Sequence, residues 1–336
     1  MIFLTGKLLA ITKVAVLFPT EGPASSTVCV IQQAALENQQ IDLKIYNSGN
    51  SLLGVLESVE RAINEKVNYI IGPRTSQEAL ALLERTQKTN ITTIVPMSSH
   101  PAITEKFSNA IRLIPSSRFY SKEMAKLIKE TSETKKLFIV NNASLQYSEE
   151  YTHLMKENLK HSRIKIIQID FVSGENITAK ISKILSENHS VSVYLPLYSA
   201  DVLPIVEKLS EGKKPISIFT HGGTLDGVDQ FVKLTSRKPN IVMFINHLSS
   251  GEIQGPYANQ FYKVAKHCKT SPNEFRTMIG FDAYKLLEQR LLKSNDSFNF
   301  NFHGVMGIYK FDEFRNTIRP FYVMRIERGS KKLYEP

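Results

Sequence analysis

Ser76 and Ser99 are the residues whose types and positions point most directly to chemistry. Each stands just ahead of a run with helical spacing, and a helix start offers unpaired backbone N–H groups and the positive end of the helix dipole. A hydroxyl added there makes a seat for a carboxylate or similar anion. Serine is also an ordinary N-cap, so on residue type alone the same pair reads first as two helix starts. Arg74 and Arg276 fall near the same region and would suit an acidic ligand, although a lone arginine is most often solvated surface.

No catalytic constellation accompanies them. The chain has no GxSxG elbow, no GxxxxGK[ST] loop, no HExxH and no paired-cysteine metal spacing, and its eight histidines are scattered. His221-Gly222-Gly223 looks like an oxyanion loop, but without a nucleophile elbow it reads as a glycine turn after a strand. No enzyme, cofactor or metal is implied. Two cysteines, Cys29 and Cys268, exclude the disulfide framework of small secreted domains. Cys29 lies in the apolar run Thr27–Ile31 and reads as a buried, inert thiol. The net charge of +10 makes the surface basic. Its Lys and Arg recur singly or in pairs such as Lys135-Lys136, Lys213-Lys214 and Lys331-Lys332, so no basic stripe marks a nucleic-acid binder.

These residues need a frame. A chain of 336 residues with 42% hydrophobic and 22% charged residues can build two sizeable cores. Met1–Thr12 is apolar but too short to span a bilayer and has no clean cleavage site, so it reads as a remnant of an export signal. From Lys13 onward, short β-branched runs alternate with helical spacing, the pattern of parallel sheets built from βαβ units. KVAVLFP, IDLKIYN, NYIIG, Thr92–Pro96 and Ala110–Ile114 give the first series. KLFIVNN, KIIQIDF, VSVYLPLY, PISIFTH and IVMFINH give the second. Two helical stretches and the extended runs GVMGIYKF and FYVMRIER close the chain, and no third sheet is expected. The fold class is therefore α/β, with two Rossmann-like lobes, parallel central sheets and a multi-strand hinge. Lobe 1 is assigned to 13–117 plus 249–302 and lobe 2 to 118–248 plus 303–330. Ligand crevices of such sheets lie beyond the carboxyl ends of the strands, so a cleft between the lobes is the expected site.

Several motifs in this order resemble the type I periplasmic binding proteins, specifically the branched-chain amino acid and amide branch of ABC-transporter substrate-binding proteins. They are Tyr69-Ile70-Ile71-Gly72-Pro73 with Thr75-Ser76, Ile94-Val95-Pro96-Met97-Ser98-Ser99 with Pro101, and Ala110-Ile111-Arg112-Leu113. Gln146-Tyr147-Ser148, Gly280-Phe281-Asp282-Ala283 and Gly307-Ile308-Tyr309-Lys310-Phe311-Asp312 continue the series. The resemblance implies a binding protein closing by hinge motion on a small polar ligand. Ser76 and Ser99 would hold its carboxylate, with a backbone carbonyl from Met97 and with Ser98 in the same ligand-binding loop, while Tyr147 and Tyr198 face it from the second lobe. Taken by themselves the two tyrosines read equally as loop aromatics packed locally. Amino-acid-binding members carry an acid for the ligand's ammonium where Gly222 stands here. That departure argues against a standard α-amino acid, because a buried ammonium without a counter-charge is costly, with Asp226 four residues on as the one substitute acid in reach. The implied partner is an ABC-transporter permease and the implied compartment is the periplasm or another extracytoplasmic space. A sensor of the same fold, with a regulatory partner and a cytoplasmic location, is the alternative.

Overall fold

The computed structural model describes residues 11–131, 135–187, 189–247, 252–293 and 301–334. Residues 1–10, most of the expected export-signal remnant, lie outside the described residues. The chain divides into two units, Met1–Ser116 with Gly251–Arg319 and Ser117–Ser250 with Pro320–Pro336.

Unit 1 is built on β1 (Thr12–Phe18), whose residues from Val14 onward are buried, as the middle of a covered parallel sheet requires. It continues through α1 (Ser25–Ala35), β2 (Ile41–Asn47), α2 (Leu52–Asn64), β3 (Tyr69–Ile71), α3 (Ser76–Thr86), β4 (Thr92–Val95), α4 (Ala102–Glu105) and β5 (Ala110–Arg112). The sheet runs β2-β1-β3-β4-β5, all parallel. Val55, Val59 and Ala62 of α2 and Ala79, Leu82 and Leu83 of α3 recur every three or four residues and fill its core. Leu80, next to Ala79 on α3, is only half-buried.

Unit 2 repeats the plan with α5 (Ser117–Thr131), β6 (Lys136–Asn142), α6 (Gln146–Leu159), β7 (Lys165–Phe171), α7 (Thr178–Leu185), β8 (Val191–Leu195), α8 (Ser199–Leu209), β9 (Ile216–Thr220), α9 (Val228–Arg237) and β10 (Ile241–His247). Its parallel strands are ordered β7-β6-β8-β9-β10, the order of unit 1 reproduced. The chain then returns to unit 1 for α10 (Ala258–His267), α11 (Phe275–Lys293) and three short strands, β11 (Phe302–Gly304), β12 (Gly307–Phe311) and β13 (Thr317–Ile318). It ends in unit 2 with β14 (Tyr322–Glu327) and β15 (Ser330–Tyr334). Both pair antiparallel at the β10 side, so the second sheet is mixed rather than purely parallel.

Three expectations are corrected. β11, β12 and β13 form a third, antiparallel sheet where none was expected. Residues 303–319, assigned to lobe 2, belong to unit 1. Buried Asp282 of α11 holds them there, accepting from the Val305 N–H (2.7 Å), the Met306 N–H (3.1 Å) and the Tyr309 hydroxyl (2.7 Å). Finally, Cys29 and Cys268 are not inert thiols but a disulfide, with Cα atoms 5.8 Å apart across 239 residues. α1 packs on both α10 and α11, and this brings the two cysteines together despite their separation.

Closing so long a loop restricts the unfolded chain by about 3–5 kcal/mol. Cys29→Ser with Cys268→Ser is therefore expected to lower Tm by roughly 10 °C in thermal unfolding, and an unchanged Tm would exclude the bridge. Burial pushes Asp282 up from its ordinary 3.8 to about 6, with Tyr309, the two N–H donors and Arg319 opposing. A folded-state value above the unfolded one means that stability is gained below about pH 4 and lost as pH rises through 6, by about 3 kcal/mol. Denaturant titrations at pH 4 and 7 should show that fall for the wild type and not for Asp282→Asn.

Candidate functional site

In an open parallel sheet the loops at the carboxyl ends of the strands splay apart where the strand order reverses, leaving room for a ligand. Unit 1 reverses between β1 and β3, and unit 2 between β6 and β8.

The loop after β3 in unit 1 carries Arg74, Thr75 and Ser76. Its approach to β1 requires glycine at position 72, where φ is +128° and a Cβ would lie 2.4 Å from the Leu17 carbonyl oxygen. Thr75, not Ser76, is the N-cap of α3. Its hydroxyl accepts from the Glu78 N–H, and the Glu78 carboxylate accepts from the Thr75 N–H at 2.9 Å, a complete capping box. The N-cap reading of Ser76 is thus excluded, and its half-buried hydroxyl lies outside the cap at the first helical position. Arg74 is half-buried rather than solvated, and its buried Nε has no hydrogen-bond partner among the described residues.

The loop after β4 carries Met97, Ser98 and Ser99. Ser98 is buried and donates its hydroxyl to the Arg74 carbonyl at 3.4 Å, which ties this loop to the one after β3. Met97 is half-buried and Ser99 is buried. Ser99 is not an N-cap either, because Pro101 holds that position and α4 has only four residues. So short a helix has little dipole, and the helix-end argument for an anion applies to Ser76 alone. Behind the loop stands Arg112, only 1% exposed, which donates to the carbonyls of Ser99 (3.1 Å) and His100 (2.6 Å). Arg276 takes a different place. At the start of α11 its carbonyl accepts from Thr27 of α1, and its guanidinium faces Glu274 at 3.9 Å, so part of its charge is already answered.

Unit 2 is aromatic where unit 1 is polar. Tyr147 opens α6 and Tyr198 is the N-cap of α8, so the two flank the strand reversal. Their rings stack, 4.8 Å apart and 19° from parallel, and Tyr198 remains 38% exposed. Tyr151 packs behind Tyr147 at 4.8 Å, and His221 packs on Tyr151 at 4.1 Å. Nε2 of His221 hydrogen-bonds the Tyr194 hydroxyl. Burial lowers the His221 pKa to about 3 and raises the phenols of Tyr147 and Tyr194 well above 10, so these groups are uncharged through the neutral range. His221 caps a 3₁₀ turn over Gly222–Gly227. A Cβ on Gly223 would meet Tyr198 Cδ1 at 3.0 Å and the Tyr147 hydroxyl at 3.1 Å, so glycine here makes room for the tyrosine pair.

The sequence reasoning gave no site role to Thr75, Arg112, Tyr151, Tyr194, His221 and Gly223, although Thr75 and Arg112 stood in its motifs and His221-Gly222-Gly223 was read as a glycine turn. Arg112 had a visible signal, a charged residue inside the apolar run Ala110–Ile114. The others become legible only when the loops are placed side by side.

A family model described as a periplasmic binding protein matches residues 12–331. Among solved structures, a leucine binding protein, LivK, from Thermotoga maritima is 19% identical over 97% of this chain and 98% of its own, with a TM-score of 0.81. LivJ from Streptococcus pneumoniae, a branched-chain amino acid transporter substrate binding protein in complex with isoleucine, is 18% identical over 97% and 99%, with a TM-score of 0.75. A solute binding protein of an ABC transporter from R. palustris, in complex with benzoate, is 16% identical over 96% and 95%, with a TM-score of 0.76. A search of curated proteins finds no match.

Gly223→Ala is expected to separate the tyrosine rings at a cost of about 1–3 kcal/mol. The chain has no tryptophan, so near-ultraviolet circular dichroism reads its tyrosines directly. A mutant spectrum identical to the wild type would refute the stacked pair.

Proposed function

The chain belongs to the periplasmic binding protein family, and from that premise we propose that it is an extracytoplasmic solute-binding protein that captures a small carboxylate-bearing ligand for an ABC-transporter permease. The observation that carries the ligand class is the contrast between the two loop sets. In unit 1 the amino end of α3, Arg74, Ser76 and Ser99 offer donors and positive charge to an anion. In unit 2 the tyrosine pair and Gly222-Gly223 offer an uncharged aromatic surface with glycine in place of an acid.

Magnitudes favour a ligand without an ammonium group. An aromatic face returns about 0.5–2 kcal/mol to a cation, whereas an ammonium buried without a counter-charge costs several. An apolar or planar group packed on Tyr198 carries no such penalty and gains about 0.5–1.5 kcal/mol beyond its area if aromatic. Amino-acid and benzoate complexes both occur among the similar structures, and the residues of this chain favour the benzoate-like class. On this reading unit 1 binds first, Tyr147 and Tyr198 then close over the ligand, and closure is driven by higher affinity for the closed state. The Cys29–Cys268 disulfide supports an oxidising compartment.

A thermal-shift series with benzoate, 4-hydroxybenzoate, L-leucine, benzamide and benzylamine tests the ligand class, because a ligand specific to the folded state raises Tm. The carboxylates should stabilise and benzylamine should not, and the reverse order would refute the assignment. Ser76→Ala combined with Ser99→Ala should weaken the best carboxylate at least about 100-fold, the cost of two hydrogen bonds to a charged group. Its Tm without ligand should stay within a few degrees of the wild type, and retained affinity would remove both serines from the site.

A further inference from the structure

Arg112 closes β5 with a guanidinium that is almost wholly buried, and burying that charge demands acceptors in a fixed planar fork. Nη1 donates to the carbonyls of Ser99 and His100 at 3.1 and 2.6 Å, and Nη2 donates to the side-chain carbonyl of Asn316. Asn316 is itself held from the far side. Its amide NH₂ donates to Asp312 at 2.9 Å, its backbone N–H donates to the same carboxylate at 2.8 Å, and the Thr104 hydroxyl donates to its side-chain oxygen. The main chain repeats the connection, since the Arg112 N–H donates to the Arg315 carbonyl and the Thr317 hydroxyl donates to the Arg112 carbonyl. A residue at the end of β5 thus clamps the loop after β4 to a turn some two hundred residues later.

We infer that Arg112, braced by Asn316, is the positioning residue that sets the orientation of the Ser98–His100 loop, an assignment that rests on the proposed carboxylate-binding role of that loop. The geometry of the peptide group gives the reason. A trans peptide points its C=O and N–H in opposite directions, so a Ser99 carbonyl held on the guanidinium fixes the direction of the His100 N–H. The second bond, to the His100 carbonyl, removes the remaining freedom to rotate. The buried positive charge also lies directly beneath the loop, with Asp312 one amide further away, and favours an anion above it. Arg112 therefore acts through the loop.

Lysine is the discriminating replacement, because an ammonium keeps the charge but cannot span three acceptors as the fork does. In hydrogen exchange on the full chain, Arg112→Lys should speed exchange of the amides in 98–105 at least about tenfold. The strands Thr12–Phe18 and Val191–Leu195 should keep wild-type rates. Asn316→Ala, which leaves the Arg112 bonds to the loop in place, should give a smaller change in the same segment. Benzoate affinity, measured by calorimetry, should fall about tenfold in Arg112→Lys. Unchanged exchange at 98–105 in both variants, faster exchange spread evenly through unit 1, or a loosened loop with wild-type benzoate affinity would each overturn the assignment and leave the proposed function standing. A wild type that binds neither benzoate nor any other carboxylate of the series would overturn the proposed function and this assignment with it.

Discussion

Parallel strands cannot be joined by a tight turn. Each must be followed by a crossover that returns to the starting edge of the sheet, and that crossover is right-handed. Every loop at the carboxyl end of a strand is therefore delivered to the same edge. Where the strand order reverses, two successive loops are carried to opposite sides and a gap is left between them. Both units obey this constraint with the same order, β2-β1-β3-β4-β5 and β7-β6-β8-β9-β10. Arg74–Ser76 and Tyr147 with Tyr198 lie at their respective reversals because the topology puts them there.

What differs is how each unit satisfies the groups it gathers. Unit 1 collects polar atoms and must pair them. Thr75 and Glu78 cap α3, Ser98 answers the Arg74 carbonyl, and Arg112 answers two more carbonyls and an amide. Such networks are stable only when nearly every member has a partner, and the buried Nε of Arg74 has no hydrogen-bond partner among the described residues. Unit 2 gathers rings, which need space. Gly223 supplies it, and the sequence Tyr198, Tyr147, Tyr151, His221, Tyr194 is a run of ring contacts with one hydrogen bond at its end.

Most of the frame was legible because its signals are local. β1, β2 and β6 to β10 declare themselves by β-branched runs between helical spacings, and α2 and α3 by their buried three- and four-residue steps. The misreadings share a cause, which is distance along the chain. Cys29 and Cys268 meet only because α1 packs on α10. The hairpin of β11 and β12 is held in unit 1 by Asp282, and nothing in its own sequence names that partner. Ser76 and Ser99 drew notice as residues ahead of helical runs, but neither is a cap, because Thr75 and Pro101 hold the two N-cap positions.

The same reasoning explains why glycine follows β9 in this chain. An acid at position 222 would follow His221, which burial keeps neutral, and one at 223 would sit beside the raised phenol of Tyr147. Neither group can supply a counter-charge, so a carboxylate there would pay its own desolvation unless a ligand cation arrived with it. A side chain at 223 would also crowd the tyrosine stack, given the 3.0 Å approach of the Tyr198 ring and the 3.1 Å approach of the Tyr147 hydroxyl. A larger residue at 223 and the stacked pair as it stands are therefore in competition. On the proposed reading the ligand is recognised by its anion and by the shape of its apolar part.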